Sequence, residues 1–457
     1  MSTSKHQRVR LRDGLTFLLA AALVVTYLQQ TSYEMSTPTL DALRYVDYAL
    51  NIHDHGVFGM SRTRRDRPPA PGNSNSPLYP ALLAGVMHID SRFAESLRCA
   101  VVARRDAATC PRFYTTITAV QCALVVGALT CLWFTAARTF RRRSIAWLAC
   151  ALALSSTKLM FFANHMLTEV LVLFLFAALM AALALGGRLG AGLTGLLLGA
   201  LTLTRPEYLY LAVVMGLIGA TSAGLCRGRG YGAGLVAGVS LFALVVGPWL
   251  ARNEHHFGTV GVTGGYGDVI LAYRIAYNRM SVGEWGAAFI YWLPGHGEAL
   301  AARWLPPHLI ANLGTEPDSY LYRDSAEIFD AGLAAVNGER EKLTGYLIRN
   351  EILAHPVRHI YASIPLAWRG ILAGKYLAVA GVPALAFFLL TAVRRRDGSV
   401  LLLMVPPMVM VALYAAVSVS VPRYNVYLIF YYGIAAAWLI VSLLERHLLS
   451  TQSVDLS

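Results

Sequence analysis

The chain has 457 residues, 56% of them hydrophobic and only 14% charged, and its mean hydropathy is +0.51. A soluble domain does not need that much apolar sequence, and many stretches approach the ~20 apolar residues that cross a bilayer as one helix. The net charge of +13 lies in short clusters between apolar runs, which marks membrane topology and argues against a nucleic-acid partner.

The expected fold class is therefore an all-α polytopic membrane protein. A basic tail (Lys5, Arg8, Arg10, Arg12) precedes the apolar run Leu15–Leu28. No small-residue cleavage site follows before Asp41, so this run reads as an uncleaved signal-anchor with a cytoplasmic N-terminus. Helix one, about 14–32, leads outward, and residues 33–111 lie outside. Helix two, about 112–137, returns to the arginine cluster 138–143. Helices three and four, 144–162 and about 169–186, turn outside at 163–168 and end at Arg188. Helices five and six, 190–204 and 208–225, turn outside at Arg205-Pro206-Glu207 and end at Arg227 and Arg229. Helix seven, 231–250, opens a long outer segment, 252–375. Helices eight, nine and ten, 376–393, 399–419 and about 425–444, turn inside at Arg394–Arg396 and outside at Pro422-Arg423-Tyr424. Every strongly basic loop then falls on one side. The apolar run Ser76–Ile89 is short for a span and reads as a helix lying at the outer interface or dipping in and out, with a short true span as the alternative. Three units follow: a transmembrane module over 1–251, the outer segment 252–375, and the closing helices 376–457.

The six cysteines give no metal spacing. Cys122, Cys131, Cys150 and Cys226 read as packing residues. Cys99 and Cys110 share an outer loop, where either a disulfide or two free thiols fits. Adjacent His255 and His256 diverge on any regular element, so no metal is assigned. Gly261–Gly267 lacks the Lys-Ser/Thr ending of a phosphate loop, so no ATP site is expected. No cofactor is expected at all.

Asp41, Arg44, Tyr45 and Tyr48 stand at i, i+3, i+4 and i+7, one face of a helix. An ordinary interfacial helix shares this pattern. The chemical reading is a carboxylate base beside a phosphate-binding arginine. Asp47 points elsewhere. Lys158, Asn164, His165, Glu169, Arg205, Glu207, Arg252, Arg423 and Tyr424 gather at the same outer helix ends. Ionisable residues at membrane depth are costly, and snorkelling to the interface is their simplest explanation. Their common side favours transfer of a group from a lipid phosphate.

Several separated segments, in order, resemble the GT-C glycosyltransferases that use polyprenyl-phosphate sugars, specifically the bacterial protein O-mannosyltransferase and aminoarabinose transferase branch. They are DALRYVDYA at 41–49, SPLYPALLA at 76–84, HMLTE at 165–169, GALTLTRPE at 199–207, GPWLARNEHHFG at 247–258 and PRYN at 422–425. The resemblance implies an inverting transfer from a polyprenyl-phosphate sugar to an extracytoplasmic glycan, lipid or protein. It implies Asp41 as general base and Glu169 as the second acidic position. The substrate-binding residues expected are Arg44, Tyr45, Tyr79, Lys158, His165, Arg205, Arg252 and Arg423. Ala42 departs from the Asp-Glu pair that family members often carry. A multi-pass location in the cell (inner) membrane, active on its extracytoplasmic face, follows from the same likeness. The rivals are a lipid-sugar flippase, which needs polar residues along a full membrane path, and a non-catalytic scaffold, which would tolerate Asp41→Asn.

Overall fold

The computed structural model describes residues 35–38, 41–61, 67–225, 229–265 and 267–454. These residues form an all-helical molecule with no strand among them. The first expected helix, about 14–32, lies outside the described residues.

Three helices come first, α1 (Asp41–His55), α2 (Leu78–Ile89) and α3 (Ser91–Ala103). A bundle follows: α4 (Thr115–Phe140), α5 (Arg143–Leu154), α6 (Thr157–Ala163), α7 (Glu169–Leu185), α8 (Gly187–Thr204), α9 (Tyr208–Leu225) and α10 (Arg229–Phe257). Residues 252–375 are not an irregular loop. Most of them form short helices: α11 (Gly267–Ala276), α12 (Val282–Tyr291), α13 (Gly297–Trp304), α14 (Ser325–Ala335), α15 (Arg340–Leu347) and α16 (Pro356–Ile371). The bundle closes with α17 (Tyr376–Arg395), α18 (Gly398–Val417) and α19 (Leu428–Val454).

Six described helices are long and apolar enough to cross a membrane, or seven if α5 and α6 form one bent span. The α5–α6 axis turns by 66° at Ser155-Ser156, where Ser156 Oγ donates to the Gly374 carbonyl at 3.3 Å. The 17-residue α7 and the apolar stretch of α9 fall just below span length. The expected count of about ten is thus not reached by length and composition among the described residues. The 12-residue α2 is far below span length.

Burial orders the bundle. The apolar window of α19 is 56% buried and that of α10 only 11%, so α19 is central and α10 peripheral. Tyr427, Tyr431 and Tyr432 line the buried start of α19, and Tyr427 stacks on Phe176 of α7 at 4.1 Å. The α8–α10 seam depends on glycine. A Cβ at Gly195 would fall 1.9 Å from the Gly238 carbonyl oxygen, so only bare backbone lets the two axes approach this closely.

The turns sort onto two faces. Arg138, near the end of α4, donates from Nε to the Ala184 carbonyl at 2.7 Å, which sets the α4 and α7 ends side by side. Arg142 pairs with Glu445 on that face. The opposite face carries the α6–α7, α8–α9 and α18–α19 connections, with α1 and α11–α16 against it. Residues of α11–α16 form a second apolar core with Ala415 and Val419 from the end of α18. Local signals shape this layer: Ser281 and Glu284 make a reciprocal cap on α12, Ser281 N donating at 2.8 Å and Glu284 N at 3.3 Å. Burial alone would raise the Glu284 carboxyl, but hydrogen bonds from Asn312, Ser281 and Tyr320 outweigh it and hold the group below its ordinary value. Cys99 and Cys110 form a disulfide between α3 and the approach to α4.

Candidate functional site

Asp41 opens α1, and Glu169 opens α7 in its first turn, where the helix dipole favours an anion. Arg423 sits in a single 3-10 turn, Pro422–Asn425, between α18 and α19. These three elements converge. Arg423 Nη2 donates to Asp41 Oδ2 at 2.7 Å, and Arg423 Nε lies 3.9 Å from Glu169 Oε1. Asp41 and Arg423 are half-exposed and Glu169 is buried. One guanidinium therefore serves a solvent-facing carboxylate and a buried one.

A second ion pair backs the first. Arg205 caps the end of α8 in extended geometry, and its Nε meets Glu207 Oε1 at 3.1 Å. The Tyr414 hydroxyl donates to the same Glu207 oxygen at 2.8 Å. The Tyr424 ring carries both arginines, with Arg205 at 4.9 Å and Arg423 at 5.6 Å from its centroid. Arg205 Nη1 is buried without a hydrogen-bond partner, as is the Tyr208 hydroxyl. Tyr45 projects into the same group and meets the buried Tyr79 ring edge-on at 5.6 Å. Burial pushes the Tyr45 phenol up to about 12, with Arg205 opposing and Glu169 and Asp41 adding to the rise. Tyr45 is therefore a proton donor over the working pH range. Gln121 Nε2 donates to Tyr79 Oη at 3.4 Å and to the His165 carbonyl at 3.2 Å, tying α4 to this wall.

No family model, curated protein or solved structure matches the chain.

The site geometry gathers six of the ten residues expected to be catalytic or substrate-binding, Asp41, Tyr45, Tyr79, Glu169, Arg205 and Arg423, together with Glu207 and Tyr424 from the same outer helix ends. Arg44 lies one turn along α1 from Asp41 and is half-buried. His165 offers its carbonyl to Gln121, while its ring stacks on Phe161 at 4.0 Å and its Nδ1 lies 2.6 Å from the Phe161 carbonyl. Lys158 rests over the Phe161 ring, 4.9 Å from its centroid. Arg252 is committed elsewhere. It donates to the Gly72 carbonyl at 2.9 Å and the Phe58 carbonyl at 3.0 Å, and sits over Trp249. It ties Phe58 and Gly72 to α10. Tyr48 stacks on Phe58 at 4.2 Å, and Asp47 accepts from the Ser61 amide at 3.1 Å, so both brace Phe58–Ser61. Ala42 is buried in the main core, where an acidic side chain would be desolvated.

Tyr414, Gln121 and Tyr208 were not singled out from sequence. Each stands at or near a helix end on the site face, and a lone polar group there was the signal available. No group of three or more metal-ligating side chains gathers among the described residues.

Proposed function

We propose that the chain is a GT-C type membrane glycosyltransferase that moves a sugar from a polyprenyl-phosphate donor to an extracytoplasmic acceptor, with inversion. The observation that carries this reading is Arg423 shared between half-exposed Asp41 and buried Glu169, beside an Arg205 whose Nη1 is unspent. A cation held on an accessible carboxylate is ready to exchange it for another anion.

The Asp41–Arg423 pair holds the resting site. A donor phosphate draws Arg423 off Asp41 and fills the open position on Arg205. Asp41 then accepts the proton of the acceptor hydroxyl or amine as that group attacks the anomeric carbon. The new bond forms opposite the breaking carbon–oxygen bond. The electron pair leaves with the polyprenyl phosphate, whose charge Arg423 and Arg205 offset. Glu169 orients Arg423 from behind, and Tyr45 donates a hydrogen bond to the sugar or phosphate.

Orientation has two supports. The Cys99–Cys110 disulfide needs an oxidising compartment and belongs to α3, which packs on α1 through an Arg98–Asp54 ion pair at 2.5 Å. The arginine-rich turns lie at the other face, as cytoplasmic loops do. An apolar cavity of about 570 Å³ between α8, α9 and α10 supports a lipid chain beside the bundle; its wall runs from Leu198 and Leu209, the latter next to Tyr208, to Gly186 and Arg188 at the opposite face.

The test is transfer in liposomes from a panel of radiolabelled polyprenyl-phosphate sugars to extracted envelope acceptors. Label on an acceptor supports the reading and names the sugar. Donor that binds and crosses the bilayer without transfer to any acceptor supports the flippase instead.

A further inference from the structure

The helix α16 is apolar on two opposite sides. His359, Ala362, Leu366 and Gly370 are buried toward α11 and the end of α18. On the other side Val357, Ile360 and Ile364 are 79%, 64% and 49% exposed. Spacings of three and four residues place these three on one helical stripe. Leu353, 64% exposed, ends the turn that precedes α16.

We propose that this stripe, with the adjoining edge of α12, lies in the headgroup region of the bilayer on the Asp41 side and anchors the α11–α16 layer to the lipid surface. Depth comes first. His359 Nε2 meets the Ala416 carbonyl at 2.8 Å, and Gly370 lies against Ser420 and Asn425. The helix therefore crosses the bundle at the level where the candidate span α18 ends. Continuity comes second. Residues 372–375 alone separate α16 from α17, whose exposed Tyr376 and Val379 begin the lipid-facing side of another candidate span.

Val282, Trp285 and Phe289 stand at i, i+3 and i+7 on α12. Trp285 stacks on Tyr361 of α16 at 4.8 Å, and Trp368 donates from Nε1 to the Phe289 carbonyl at 3.1 Å. Tryptophan and tyrosine beside an aliphatic stripe match the membrane interface. Exposed Arg349 and Arg358 flank the stripe and suit anionic headgroups. A soluble partner would have to cover the stripe and stop where the lipid-facing side of α17 begins, whereas the bilayer covers both as one surface.

The test uses Val357→Cys, Ile360→Cys and Ile364→Cys, one at a time, with Cys122, Cys131, Cys150 and Cys226 replaced. Each carries an environment-sensitive fluorophore in liposomes of phosphatidylethanolamine and phosphatidylglycerol. Blue-shifted emission, mostly lost in brominated lipid, is expected at all three positions and not at exposed Glu341→Cys. Water-like emission that ignores brominated lipid would overturn the proposal. So would a blue shift without quenching, because a second copy of the chain would then cover the stripe. The unmodified protein gives an independent readout. Diazirine-bearing lipids should leave adducts on the 353–364 peptide, and adducts on α17 alone would sink the idea.

Discussion

At the scale of single residues, the site rests on an exchangeable ion pair. An ion pair between half-exposed side chains contributes only ~0–1 kcal/mol, so the proposed donor phosphate would displace it without large loss. Arg423→Gln should nonetheless lower the melting temperature, because it also leaves buried Glu169 without the cation 3.9 Å away. It should lower turnover by about 10²–10³-fold, as loss of a preorganised charge stabiliser does. Arg423→Lys should recover part of that loss, because a lysine supplies the charge but not the planar fork. Initial rates on matched, folded protein decide both. Arg252→Ala should behave the other way. It removes hydrogen bonds to the Gly72 and Phe58 carbonyls, so thermal stability should fall by about 1–3 kcal/mol. A melt in detergent measures it, and an unchanged melt with lost donor binding would return Arg252 to the substrate. These residues show what sequence position conveys. Placement at a helix end told which membrane face a side chain reaches, and that was enough to gather Asp41, Glu169, Arg205 and Arg423. It carried no information on where around the bundle each end stands. Lys158, His165 and Arg252 share the face and yet meet Phe161 and Phe58 instead.

At the scale of helices, the seams are specified by what is missing from them. Gly195 meets the Gly238 backbone with no room for a Cβ. Gly195→Leu should force α8 from α10 and destabilise the bundle by about 1–3 kcal/mol or more, read as a lower detergent melting temperature. Gly216, with open space around it, is the matched control, and Gly216→Ala should change little. Hydropathy made the spans α4, α10 and α17–α19 legible, because lipid-facing sides are apolar whatever they pack on. It did not show the 66° turn between α5 and α6, since Ser155 and Ser156 interrupt the apolar run only briefly. Nor did it show α11–α16. Those helices run only 8 to 16 residues, too short for any of them to register as a span. The disulfide stayed open in sequence because spacing permits a bond without requiring one, and the folded approach of α3 to the chain before α4 closes it.

For the molecule as a whole, the layer on the site face is joined to the bundle through a buried cation. Arg274 is fully buried and donates to the Ala415 carbonyl at 2.6 Å, the His359 carbonyl at 2.8 Å, Ser363 Oγ at 2.6 Å and Asn278 Oδ1 at 2.9 Å. Burial, and then the Arg274 charge, pushes the His359 imidazole down to about 4. The unfolded chain takes up that proton near pH 6.5, while the folded chain resists until about 4. This contribution to stability is therefore complete above pH 6.5 and is lost as pH falls toward 4. Melting temperature should drop across that window, and His359→Gln should flatten the drop. A slope unchanged by the substitution would assign the effect to other groups.

A role for Asp41 as the base of a sugar transfer is tested by comparing wild type with Asp41→Asn on one preparation. Binding of polyprenyl phosphate and transfer from its sugar adduct would be followed together in liposomes. The variant should retain lipid-phosphate binding and lose transfer by about 10²–10⁴-fold, the range for a removed general base. Equal transfer by both proteins would contradict that role.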